Sequence, residues 1–232
     1  MRRRSAASVL LVALALAAPA RAQDTPAAPD SAEALLRYPI TACIDDARGV
    51  PTCPPARYRS DGAILRAVYR TPSPLLRGTF RAVDATSYAT FVAVPLVQGG
   101  IALARGESLR PALVTVAAEG AAGVAVGGLK AVLGRERPYV AEPDIAVRTR
   151  GARIHGVGDH SYSLPSGHAA LAFATATSVA LADRRTAVPA YVWATTVSAA
   201  RLWHGVHYPS DVIAGAALGF VAGAAAHVVL GR

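Results

Sequence analysis

Residues 212–230 read VIAGAALGFVAGAAAHVVL, and His227 is the only ionisable side chain among them. A soluble helix of that length needs a charged or strongly polar face. This one is apolar all round, at about the length that crosses a hydrocarbon core of ~30 Å. Gly215, Gly219 and Gly223 recur every four residues, a small-residue stripe that lets helices approach closely in lipid. Four further apolar stretches precede it: Tyr88–Ala104 without any charge, Pro111–Leu129 with only Glu119, Ala169–Ala182 and Ala187–Leu202. Glu119, alone in its stretch, is expected to face the bundle interior. Some stretches are short or Ala-rich for a span. With 53% apolar and only 17% charged residues, the expectation is an all-α bundle of five to six mostly apolar helices that span a membrane.

The chain opens with Arg2, Arg3 and Arg4, an apolar run from Val9 to Ala18, and the small-x-small tripeptide Ala20-Arg21-Ala22. Residues 1–22 therefore read as a signal peptide or a retained signal anchor. Cleavage after Ala22 would remove four of the arginines behind the formal charge of +9. The remaining excess is modest and no nucleic-acid-binding motif accompanies it, so a nucleic-acid partner is not expected. An exported segment follows, residues 23–84, with the only two cysteines, Cys43 and Cys53. In an oxidising compartment these are expected to close a short disulfide loop, contributing about 2–3 kcal/mol. Ile64, Leu65 and Val68, then Leu76, Phe80 and Val83, recur at helical spacing with arginines between them. Pro72 and Pro74 divide the segment into two short amphipathic helices. Such a basic helix either lies on an anionic membrane surface or packs on its own protein. The helical domain is then 85–232.

Three polar blocks interrupt the apolar stretches: Lys130 to Pro138, Pro165-Ser166-Gly167-His168, and Arg201 to Asp211. Lys130 is the only lysine in the chain, where a compact ammonium is put to use. Lys130 and Arg137 are seven apart, on one face of a helix that Pro138 then ends, suited together to a dianion. Ser166 and Gly167 open an apolar helix whose N-terminal N–H groups favour an anion, with His168 in the first turn. Pro209 starts a further helix, placing Asp211 in its first turn, within reach of His207 Nδ1. That contact leaves Nε2 with its lone pair, so the histidine itself can attack. Taken singly, each block has a plain structural explanation as a snorkelling helix end or a helix cap. If the blocks face the exported side, Arg105, Arg110, Arg184, Arg185 and Arg232 fall on the other, as the positive-inside rule expects. Trp203 and Tyr208 are expected at the interface.

Together the blocks resemble the type 2 phosphatidic acid phosphatase superfamily, which shares its site with bacterial class A acid phosphatases and vanadium haloperoxidases. The pattern is Lys-x6-Arg-Pro, Pro-Ser-Gly-His and Ser-Arg-x5-His-x3-Asp. It is met at Lys130, Arg137, Pro138, residues 165–168, Arg201, His207 and Asp211, and departs at Ala200, where serine is usual. The resemblance covers Tyr88 to the C-terminus.

The resemblance implies that His207 attacks phosphorus and becomes a phosphohistidine while Asp211 steadies its ring. His168 protonates the leaving oxygen and then activates water. Lys130, Arg137, Arg201, Ser166 and Gly167 hold the phosphoryl oxygens, so neither metal nor other cofactor is expected. The implied substrate is a lipid phosphate or pyrophosphate (polyprenyl pyrophosphate, phosphatidic acid or phosphatidylglycerol phosphate). The site would open to the periplasm from a bacterial inner membrane. The loop with Arg148, Arg150, Arg153, His155, Asp159 and His160 either shapes head-group choice or is simply solvated, and His204 and His227 read as structural. The alternatives are an exported soluble acid phosphatase, a vanadium haloperoxidase and a non-catalytic lipid-binding membrane protein.

Overall fold

The computed structural model describes residues 44–45, 51–52, 59–148 and 162–231. The signal segment, Cys43 and Cys53, and loop residues Arg150, Arg153, His155, Asp159 and His160 lie outside the described residues. Seven α-helices make up nearly all of what is described. They are α1 (Arg59–Tyr69), α2 (Pro74–Arg105), α3 (Arg110–Leu133), α4 (Pro138–Ala141), α5 (Gly167–Ala182), α6 (Ala187–Trp203) and α7 (Pro209–Leu230). A single 3-10 turn, Arg184–Thr186, joins α5 to α6. Ile44–Asp45 pairs antiparallel with Pro51–Thr52 ahead of them.

All five apolar stretches are helices, but the second amphipathic helix is not separate from the first stretch. Ser73 Oγ accepts the Leu76 N–H, Pro74 takes the first turn, and the helix then runs unbroken to a left-handed Gly106. At 32 residues, α2 is roughly 48 Å long at 1.5 Å per residue. That exceeds a hydrocarbon core by about three turns. Helices α2, α3 and α7 are long and apolar enough to cross a membrane. Large apolar side chains on all three point outward, among them Leu96, Leu103, Val124, Val132, Ile213 and Val229.

The shorter α5 stands at the centre. Its alanines Ala169, Ala170, Ala172, Ala174 and Ala176 are buried. Ala170 and Ala174 pack with Ala118, Ala122 and Val126 of α3; Ala172 and Ala176 pack with Phe91 of α2 and with Trp193 and Val197 of α6. Helix α7 meets α5 along the glycine stripe. A Cβ on Gly215 or Gly219 would overlap the carbonyl oxygens of Ser166 and Ala170, and one on Gly223 would come within 2.6 Å of Thr177 Cβ. In lipid there is little hydrophobic drive between helices, so this close backbone approach is what makes the contact favourable. Glu119 faces inward as expected and finds a partner: Thr175 Oγ1 donates to its Oε1 at 2.6 Å.

Amphipathic α1 packs on its own protein. Leu65 and Tyr69 form a buried cluster with Ile145 and Tyr208. Arg66 donates to Glu142 at 2.6 Å and to Asp144 at 2.8 Å. Burial acts to raise Asp144, but the Arg66 guanidinium holds its carboxyl below the usual range. This cap also corrects the expected interfacial aromatic pair. Trp203 and Tyr208 are buried, Trp203 beside Phe80, and Tyr208 donating its hydroxyl to Glu142 at 3.2 Å.

Candidate active site

The helices alternate in direction, so the three blocks gather at one end, opposite to Arg105, Arg110, Arg184 and Arg185. Block one departs from the expected single helix. Gly134 adopts the left-handed conformation and stops α3 at Leu133, while Pro138 opens α4 instead of ending a helix. Lys130 therefore sits on the last turn of α3, whereas Arg137 lies on extended backbone (φ −78°, ψ 154°), as a residue before proline prefers. The segment after Gly134 pairs with the strand-like lead-in to α5: Ser163 N–H donates to the Arg135 carbonyl at 2.6 Å, and Glu136 bridges Tyr162. Lys130 Nζ donates to the Tyr162 carbonyl at 2.7 Å.

Block three is shaped by two helix ends. After α6, Gly205 (φ +72°) is left-handed; its N–H returns to Leu202 O and the Val206 N–H to Arg201 O. This double closure needs glycine, and it turns the chain so that His207 heads inward. Asp211, in the first turn of α7, is fully buried. Its Oδ2 accepts from the Tyr208 N–H at 2.7 Å and from the Ser163 hydroxyl; its Oδ1 accepts from Arg135 Nη1 at 2.7 Å.

His207 is buried between these groups. Its Nδ1 is 3.6 Å from Asp211 Oδ2, longer than the direct bond that the spacing predicts, because Asp211 also caps α7. Ser163 Oγ stands alongside, 3.4 Å from Nδ1 while donating to the carboxylate. On the other side, Arg137 Nη1 lies 3.4 Å from Nε2 and donates to the Val206 carbonyl at 3.3 Å. Burial pushes His207 down to about 3, against the pull of Asp211 and with the help of Arg137 and Lys130. The ring is neutral at ordinary pH, its Nε2 next to a cation.

The remaining candidates occupy separate places around this pair. Ser166 is buried and caps α5, accepting the Ala169 N–H at 3.5 Å, and its own N–H donates to the Asp211 carbonyl at 2.9 Å. Gly167 begins α5, close to Val126. His168 packs edge-on against Tyr88 of α2, ring centres 4.7 Å apart. Arg201, buried near the end of α6, is engaged by Asp84 of α2, and its Nε has no hydrogen-bond partner among the described residues. His204 is buried against the Phe80 carbonyl at 3.4 Å and pushed down to about 3, chiefly by burial, in keeping with a structural role. Arg148 is a pin: it lies over the Tyr69 ring at 3.5 Å and donates to the Tyr69 carbonyl at 2.7 Å.

Ser163, Arg135, Asp84 and Tyr88 were missed from the sequence. Ser163 and Arg135 lie beside or inside the blocks, and only the pairing of the two segments brings them to Asp211. Among the described residues no three His, Cys, Asp or Glu side chains are grouped as metal ligands.

Residues 110–232 match the family model described as the PAP2 superfamily. The chain belongs to that superfamily. All three blocks of this PAP2 chain lie inside the match, while Asp84, Tyr88 and α1 precede it. Solved structures that share this fold include the two that follow. The transmembrane PAP2-type phosphatidylglycerolphosphate phosphatase from Bacillus subtilis superposes with a TM-score of 0.61 at 22% identity, over 75% of this chain and 86% of that one. LpxE from Aquifex aeolicus does so with a TM-score of 0.57 at 22% identity, over 70% and 92%. No curated protein matches the chain.

Proposed function

We propose that this PAP2 protein is a lipid phosphatase that removes phosphate from a phosphomonoester or pyrophosphate through a phosphohistidine on His207. The observation that carries the reading is the buried His207, with Asp211 and Ser163 at Nδ1 and a guanidinium at Nε2. The Nε2 lone pair attacks phosphorus as the bond to the ester oxygen breaks, and His168 gives that oxygen a proton. The ring becomes cationic, and the Asp211 carboxylate offsets the charge. Water then gives a proton to His168 and attacks phosphorus; the P–N bond breaks and inorganic phosphate leaves. Lys130, Arg137, Arg201 and the start of α5 at Ser166–Gly167 hold the equatorial oxygens.

A lipid substrate is supported by an apolar groove of about 380 Å³ between α3 and α7. Leu129, Leu133, Leu164, Pro165, Leu218 and Val221 line it. Leu164 and Pro165 continue directly from Ser163, so a hydrocarbon chain in the groove would keep its head group beside His207. The arginines at the opposite helix ends favour a site on the exported, periplasmic face of a bacterial inner membrane.

His207→Ala tests the chemistry. Phosphate release from a generic ester and from lipid phosphates should fall to background, and unchanged hydrolysis would rule the mechanism out. A panel of polyprenyl pyrophosphate, phosphatidic acid, phosphatidylglycerol phosphate and soluble esters tests the substrate. A preference for the soluble esters, with protein released from membranes by carbonate, would favour an exported acid phosphatase.

A further inference from the structure

We propose that Asp61, on α1 and outside the region the family model matches, is a positioning residue for the catalytic carboxylate Asp211, acting through Arg135. Arg135 is a buried fork held between two carboxylates. Its Nη1 donates to Asp211 Oδ1 at 2.7 Å and to Ser210 Oγ at 2.5 Å, and its Nη2 donates to Asp61 Oδ2 at 2.8 Å. The guanidinium lies over the Tyr208 ring, 4.1 Å from its centre. Asp61 also grips the start of α7 directly. Its Oδ1 accepts the Ser210 N–H at 3.1 Å and its Oδ2 the Ser210 hydroxyl at 2.5 Å.

The physical argument concerns how one positive charge is shared. A fully buried carboxylate needs a partner, and Arg135 supplies it to Asp211. If Arg135 served Asp211 alone, the pair would be close to neutral and little negative charge would remain for a cationic His207 ring. Asp61 draws on the other edge of the same guanidinium. It thereby keeps part of Asp211's charge uncompensated on the Oδ2 side, where His207 Nδ1 lies 3.6 Å away. The second contact, to the Ser210 N–H, fixes the first turn of α7 on which Asp211 is carried. Helix α1 is thus joined to the nucleophile through Asp61, Arg135 and Asp211.

This inference rests on the phosphohistidine reading, and the test separates the two. Full-length protein in detergent is assayed with a soluble phosphate ester as wild type, D61N, R135Q, D61N/R135Q, S210A and H207A. Asn at 61 keeps an acceptor for the Ser210 N–H and removes the charge. The expected result is a kcat for D61N about tenfold below wild type with KM within twofold. The double variant should be no more than twofold below R135Q alone, because both act through one fork. S210A, which removes neither charge, should stay within threefold of wild type, a readout independent of how well D61N folds. A wild-type kcat for D61N, losses that multiply in the double variant, or an S210A loss at least tenfold would overturn the proposal. Retained hydrolysis by H207A would instead sink the phosphohistidine reading.

Discussion

At His207 the chemistry depends on which ring nitrogen keeps the proton, and the answer involves a residue that no motif includes. Ser163 donates its hydroxyl hydrogen to Asp211 and leaves its oxygen 3.4 Å from Nδ1. It favours the tautomer with Nδ1 protonated and Nε2 open. A hydrogen bond to a charged group contributes about 1.5–3 kcal/mol. If that support is felt in the transition state, Ser163→Ala should lower kcat roughly ten- to a hundredfold with little change in KM. Under the proposed mechanism Asp211→Asn should cost more, about 10²–10⁴ in kcat, since it removes the charge that would balance a phosphorylated ring. Steady-state kinetics of both variants check this; an S163A kcat within twofold of wild type would reduce Ser163 to packing. The motif residues were legible because each is a rare polar group set in apolar sequence at fixed spacing. Ser163 was not, since a serine in a polar loop acquires meaning only when the segment after Gly134 pairs with it.

Among the elements, α5 and α7 decide whether the site assembles at all. The glycine stripe read from residues 212–230 is the surface on which they meet, and Ser166 and Asp211 are joined where it begins. Adding one methyl at Gly219 forces the two backbones apart. We expect Gly219→Ala to destabilise by about 1–3 kcal/mol and to lower activity with it. Gly100→Ala on α2, where an added Cβ meets nothing within 4 Å, should be neutral or slightly stabilising. Thermal unfolding in detergent compares them, and equal midpoints would contradict the close-packing account. Helix boundaries were the least legible feature. Pro138 looked like the end of a helix, yet Gly134 had already ended it. Pro74 looked like a break between short helices, yet it opens a helix of 32 residues. Proline and glycine mark boundaries in sequence without saying which side the helix takes.

For the whole molecule, acid should be destabilising, and the sign follows from the buried side chains of His204, His207 and Asp144. His204 and His207 lie near 3 in the folded protein against an ordinary 6.5. The unfolded chain therefore binds protons that the native state refuses as pH falls through that interval. Asp144, held low by Arg66, acts in the same direction, because its stabilisation is lost as pH drops through its folded value. The thermal midpoint in detergent should fall steadily from pH 6.5 downward, and a flat or rising profile would show that these groups are not buried in solution. The sequence by itself determined the helical class, the apolar helices and the chemical inventory of the candidate site. Those properties are carried by local composition and spacing, which survive without a fold. Only the tertiary structure decided what holds the inventory in place. It set Arg135 between Asp61 and Asp211, Asp84 on Arg201, and Ser163 beside His207. Each of these joins residues tens of positions apart, and hydrogen bonds a few ångströms long exist only after the helices have packed.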